Sequence, residues 1–82
     1  MLRCTGDIRV AVIFGPGLKA RPVWFELNRR QHRIARTTYH WKDRIGEAPR
    51  LHWSVVTEED ALYELVFNTI DQTWLLSPQP FE

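Results

Sequence analysis

The sequence predicts an all-β fold: a single small domain, a five- or six-stranded antiparallel meander whose sheet curls into a half-open barrel. Three observations predict it. Apolar residues recur with a two-residue rhythm between turn signals, and nowhere sustain a 3.6-residue stripe. The segments carrying that rhythm are rich in Val, Ile, Thr, Tyr and Trp, which suit a pleated, half-buried surface. Finally, 82 residues hold one core only, since a chain of this length buries roughly 60% of its unfolded surface.

The elements follow in order. Residues 1–20 hold a first strand and a linker. Asp7 to Phe14 places Ile8, Val10, Val12 and Phe14 on one side, and the breaker Gly15-Pro16-Gly17 closes it. The meander spans residues 22–76. Pro22 opens Val23 to Leu27, because a strand's first position tolerates the missing N–H. After the turn Asn28-Arg29-Arg30-Gln31 comes a long strand, Arg33 to Trp41, then a loop containing Gly46 and Pro49. Leu51 to Thr57, Ala61 to Phe67 and Thr73 to Leu76 complete the set. Residues 77–82 read as a tail, since Pro78 and Pro80 both lack a ladder donor.

Residues opposite each other in an antiparallel pair share a face, so a register predicts a core. Pairing Trp41 with Leu51 sets Tyr39 against Trp53 and Thr37 against Val55. Pairing Thr57 with Ala61 across Glu58-Glu59-Asp60 adds Tyr63, Leu65 and Phe67. A four-residue turn at Thr69 to Gln72 adds Trp74 and Leu76. The opposite face then shows His40 facing His52, Thr38 facing Ser54, and Arg36 facing Val56. Behind the core, Ile34, Val56, Leu62 and Val66 form a smaller apolar set that the first strand or a second copy of the chain would cover.

Composition narrows the setting. Cys4 is the only cysteine, so no intramolecular disulfide staples this small domain, which favours a cytoplasmic location. The longest apolar run, Val10 to Phe14, is far short of the roughly 20 residues of a membrane span. Net charge is +1 but segregated: Lys19 to Arg50 holds nine Lys or Arg against three carboxylates, and from Leu51 onward there are six carboxylates and no Lys or Arg. Such asymmetry marks a nucleic-acid face or neighbouring strands that attract each other.

Catalytic chemistry finds no constellation. His40 and His52 on adjacent strands are the natural metal candidates, but His32 lies eight residues from His40, about 27 Å along a strand, and no carboxylate shares their face. Cys4 as a nucleophile would need an activating base and a lowered pKa, yet it sits in a terminal segment of the kind that frays. Glu58, Glu59 and Asp60 read as solvated turn residues, and Gly15-Pro16-Gly17 lacks the following lysine of a phosphate loop. The expectation is a non-catalytic domain without cofactor or metal.

Binding chemistry fits better. Arg29, Arg30, Arg33, Arg36, His40 and His52 form a basic, hydroxyl-bordered surface suited to phosphates, making nucleic acid the preferred partner. The alternative is a protein partner or homodimer, through an exposed Trp24 or through Leu62 and Val66.

Pro22-Val23-Trp24-Phe25, Tyr39-His40-Trp41-Lys42-Asp43-Arg44, Leu51-His52-Trp53-Ser54-Val55, Tyr63-Glu64-Leu65 and Thr73-Trp74-Leu75-Leu76 resemble a group of short, uncharacterised bacterial β domains. The resemblance runs from Pro22 to Leu76; the first twenty residues depart from it. Members of that group are often encoded near, or fused to, translesion-type DNA polymerases, which implies an accessory role in DNA repair. The resemblance carries over no catalytic residue.

Overall fold

The computed structural model describes residues 4–5 and 8–79. They form one antiparallel sheet of seven strands: β1 (Cys4–Thr5), β2 (Arg9–Gly15), β3 (Lys19–Leu27), β4 (Arg30–Ile45), β5 (Ala48–Thr57), β6 (Leu62–Asn68) and β7 (Thr73–Pro78). The six expected strands are present, and the two-residue β1 adds a seventh. No helix among the described residues is long and apolar enough to cross a membrane.

The order across the sheet is β1-β7-β6-β5-β4-β3-β2. The chain's first two strands therefore lie at opposite ends of the sheet, with only three residues between them. Four peptide steps reach at most about 14 Å, so the two ends must approach each other. The sheet curls into a half-barrel for this reason. Asp7, the expected start of the first strand, lies outside the described residues; the strand itself begins at Arg9.

Turn chemistry sets most of the registers. Asn28 and Arg29 both take positive φ, 54° and 67°, the two-residue turn whose twist matches the flanking strands. Gly46, at φ 58°, begins a second two-residue turn, so β4 and β5 run to Ile45 and from Ala48 where a longer loop was expected. At Glu58-Glu59-Asp60, Thr57 N–H donates to Ala61 O at 2.9 Å and Asp60 takes φ 66°. The Thr69–Gln72 turn is tied by Asn68, whose Oδ1 accepts from the N–H groups of Ile70 and Asp71.

The core layer is made by Ile8, Phe25, Trp53, Val55, Leu65 and Leu76, with Tyr63, Phe67 and Trp74 packed against it. The pairs Trp53 with Leu65, Val55 with Tyr63, Leu65 with Leu76 and Phe67 with Trp74 are those that the pattern from Leu51 onward predicts. Burying an aliphatic or aromatic side chain of this kind contributes about 1.5–3 kcal/mol. β2 lies at the edge of the sheet, with Ile8 just before it in the core and Val10 packed against that core, so it does not cover the face behind.

Between β4 and β5 the expected register fails. Thr37 pairs with Val55 and Arg36 with Val56 as expected, but Tyr39 pairs with Ser54, His40 with Trp53 and Trp41 with His52. The cause is a bulge at Thr38. The tight Gly46-Glu47 turn fixes Ile45 opposite Ala48, and that register differs by one residue from the pairing at Thr37; Thr38 absorbs the difference. A second bulge at Ala35 returns Ile34 to the core, so Ile34 does not join Val56, Leu62 and Val66. Because one residue of slip exchanges faces, Tyr39 and Trp41 leave the core layer, and Tyr39 stands 66% exposed. His52, expected to look outward, is buried with 6% of its surface exposed.

Three prolines sit inside strands. Pro22 lies within β3 beside the irregularity at Ala11/Val12, Pro49 is the second residue of β5, just after the Gly46-Glu47 turn, and Pro78 is the last residue of β7. Pro22 and Pro78 are positions where a missing N–H breaks no central ladder, and Pro49 stands at the start of its strand.

Candidate functional site

β4 takes part in two ladders. Arg30–Arg33 pair with Leu27–Trp24 of β3, and from Ile34 onward β4 pairs with β5. The first half of β3, through Pro22, pairs only with β2. The strands therefore part, and a cleft of about 720 Å³ opens between them. Both walls are strand edges with backbone groups outside any ladder.

The cleft straddles the free edge of β4. Arg36 and Trp41 reach it from the outer side, His40 and Lys42 from the inner side, and Lys19 and Arg21 from β3 across the gap. No Asp or Glu lines it. Low-dielectric walls carrying one sign of charge focus the field into the opening. At the base, Trp53 Nε1–H donates to Ala20 O at 3.1 Å, joining β5 to β3 across the gap. Beyond it lies a smaller, mainly apolar space lined by Val10, Phe14, Phe67 and Trp74 among others.

A charged network holds the β4 wall in place. Arg50 grips Asp43 with two hydrogen bonds, Nε to Oδ1 at 2.9 Å and Nη2 to Oδ2 at 2.7 Å. His52 Nδ1 lies 2.9 Å from Glu64 Oε2, and its Nε2 lies 2.9 Å from Asp43 Oδ1. That second approach is off the N–H direction, so Nε2 has no aligned acceptor. The Arg50 hydrogen bonds, then the close approach of His52, hold the Asp43 carboxyl down to about 2. Trp41 stacks on His52, and Tyr39 touches Trp41 with ring centroids 5.3 Å apart. The network orients Trp41 and confines the nearest carboxylates, so the cleft keeps its positive field.

Of the residues expected to bind nucleic acid, Arg36 and His40 meet in the cleft. His52 lines its wall but is buried beneath Trp41. Arg29 and Arg30 are exposed at the β3–β4 turn, and Arg33 approaches Glu58 at 3.8 Å; none of the three lines the cleft. His40 and His52 do not face each other, and no three His, Cys, Asp or Glu among the described residues could hold a metal ion. Trp24 and Leu62 are half-buried and Val66 is buried, so they form no open apolar patch.

Sequence reasoning missed Lys19 and Arg21 as site residues, although the basic run begins with them. It also placed Tyr39 and Trp41 inside. Comparisons of the chain with family models, with curated proteins and with solved structures find no match.

Proposed function

We propose that this domain is a non-catalytic module that binds nucleic acid by its phosphate backbone, in the cleft between β3 and β4. One observation carries the reading: Lys19, Arg21, Arg36 and Lys42 converge there with no carboxylate in the lining. Among the described residues none of the four enters an ion pair, so their charge is available to a ligand. Each phosphate neutralised by such a cation releases counterions, which gives affinity without sequence preference. The resemblance to polymerase-associated domains supports a DNA-repair setting for this binding.

Fluorescence anisotropy with a labelled oligonucleotide tests it. Affinity should fall with log salt by a slope of about 0.7 per contacted phosphate of a single strand. Arg36→Glu with Lys42→Glu should weaken binding more than tenfold, on the order of two lost contacts and two added repulsions. Arg33→Glu, outside the cleft, should change it little. Absence of binding to any oligonucleotide at low salt would refute the proposal.

A second reading rests on β2. It is an edge strand with Ile13 47% and Phe14 75% exposed, and an apolar edge invites pairing with another strand. Self-association through β2 would appear in light scattering as a dimer that Ile13→Lys dissociates; a monomer at high concentration would exclude it.

A further inference from the structure

We propose that the cleft selects a single strand over a duplex, with Tyr39 as the platform for one unstacked base. This rests on the nucleic-acid reading above and adds the ligand's form. Three observations lead to it.

The first is the shape of the site. The cations lie within a slot between two strand edges, in a molecule only 34 × 30 × 28 Å across. A duplex presents grooves about 12 Å and 6 Å wide around a stiff cylinder and could only rest across the rim. A single extended backbone can enter, and can reach Lys19 and Arg21 on one wall while touching Arg36 and Lys42 on the other.

The second is the position of the aromatic rings. Tyr39 and Trp41 project from the same side of β4 because the Thr38 bulge turns them outward. Trp41 lines the cleft with one face committed to His52. Tyr39, outside the cleft lining, abuts the Trp41 wall of the cleft with ring centroids 5.3 Å apart and is 66% exposed, so its ring is open to a base next to the slot. Single-strand binders combine these same two parts, a basic groove for the backbone and a ring on which a base stacks. Bases within a duplex are already stacked and would gain nothing from the ring.

The third is the open backbone. From Ile34 onward the β3-facing edge of β4 lies outside any ladder, leaving peptide N–H groups for phosphate oxygens. Such donors position a strand without reading its sequence.

The test compares an oligothymidylate of about ten nucleotides, a length such grooves track, with an abasic sugar-phosphate strand and a duplex of the same length. The expected result is oligothymidylate bound about tenfold tighter than the abasic strand, and tighter than the duplex. Tyr39→Ala should erase the preference for bases and leave abasic binding unchanged, while Tyr39→Phe retains it. The exposed position of Tyr39 means that neither substitution removes a core contact. Equal affinity for the oligothymidylate and the abasic strand, or tighter binding of the duplex, overturns the inference while phosphate binding sensitive to Arg36→Glu still stands. Failure to bind any of the three, or tighter binding of poly-glutamate than of oligothymidylate at equal salt, overturns both readings.

Discussion

Trp41 lies flat against His52, ring centroids 4.7 Å apart and planes 16° from parallel, across the β4–β5 ladder. The imidazole is thus a floor for the indole and a bridge between Asp43 and Glu64. His52→Ala removes both roles and should lower stability by about 1–3 kcal/mol, the cost of stranding polar partners. The larger penalty of a fully buried ion pair does not apply, because the Glu64 side chain is 25% exposed and water can reach it. Urea midpoints of the two proteins give the difference.

Acid should dismantle this network from the Asp43 side. Its carboxyl is held down to about 2 from an ordinary 3.8, first by Arg50 and then by His52. The unfolded chain therefore takes up that proton before the folded one does. The stabilising contribution is complete above pH ~4 and is lost as pH falls through about 2. Asp43→Asn lacks it at every pH, so its melting temperature should lie below that of the parent protein at pH 5 and converge with it at pH 2. A constant gap across that range would contradict the assignment.

Arg29 takes φ 67° in the second position of its turn, a left-handed conformation that costs a side-chain-bearing residue about 1–2 kcal/mol. Arg29→Gly creates the Asn-Gly pair that this turn favours most. Glycine's greater freedom in the unfolded chain offsets part of the relief, leaving an expected gain of about 0.5–1 kcal/mol. Denaturant unfolding measures it, and affinity for nucleic acid should stay the same, since Arg29 lies outside the cleft.

Trp53 closes the base of the cleft and also fills the core. Trp53→Phe keeps most of its volume but loses the bond to Ala20 O, at a cost of about 0.5–1.5 kcal/mol. Trp53→Ala joins the cleft to the apolar space behind and should cost about 3–5 kcal/mol. Equal losses for the two would show that the indole N–H, not the packing, is what matters there.

From Leu51 to Leu76 the sequence was legible because short turns and strict alternation agree: Glu58-Glu59-Asp60 and Thr69–Gln72 each admit one register, and Trp53, Leu65 and Leu76 fall on one face in it. Between Arg33 and Arg50 the same rules misled. A bulge leaves no mark in composition, and neither Ala35 nor Thr38 differs from an ordinary strand residue. Once Thr38 is taken out of the ladder, the histidine thought to be solvated is buried and the tyrosine thought to be buried is exposed. The charge segregation was visible in the sequence. The convergence of Lys19 and Arg21 on Arg36 was not, because it depends on where β3 and β4 part.

The pairing of Cys4 and Thr5 with Leu76 and Leu75 has a consequence for how the chain is made. The strands from β3 to β7 each find a partner in the one synthesised just before, and can zip up hairpin by hairpin as they leave the ribosome. Cys4 and Thr5, which emerge before β2, have no partner until Leu75 and Leu76 exist. Ladders of such long sequence separation form late. Until that ladder closes, the last-made strand leaves an edge open to other chains, so the nascent sheet stays vulnerable to misassociation until β7 docks on Cys4 and Thr5.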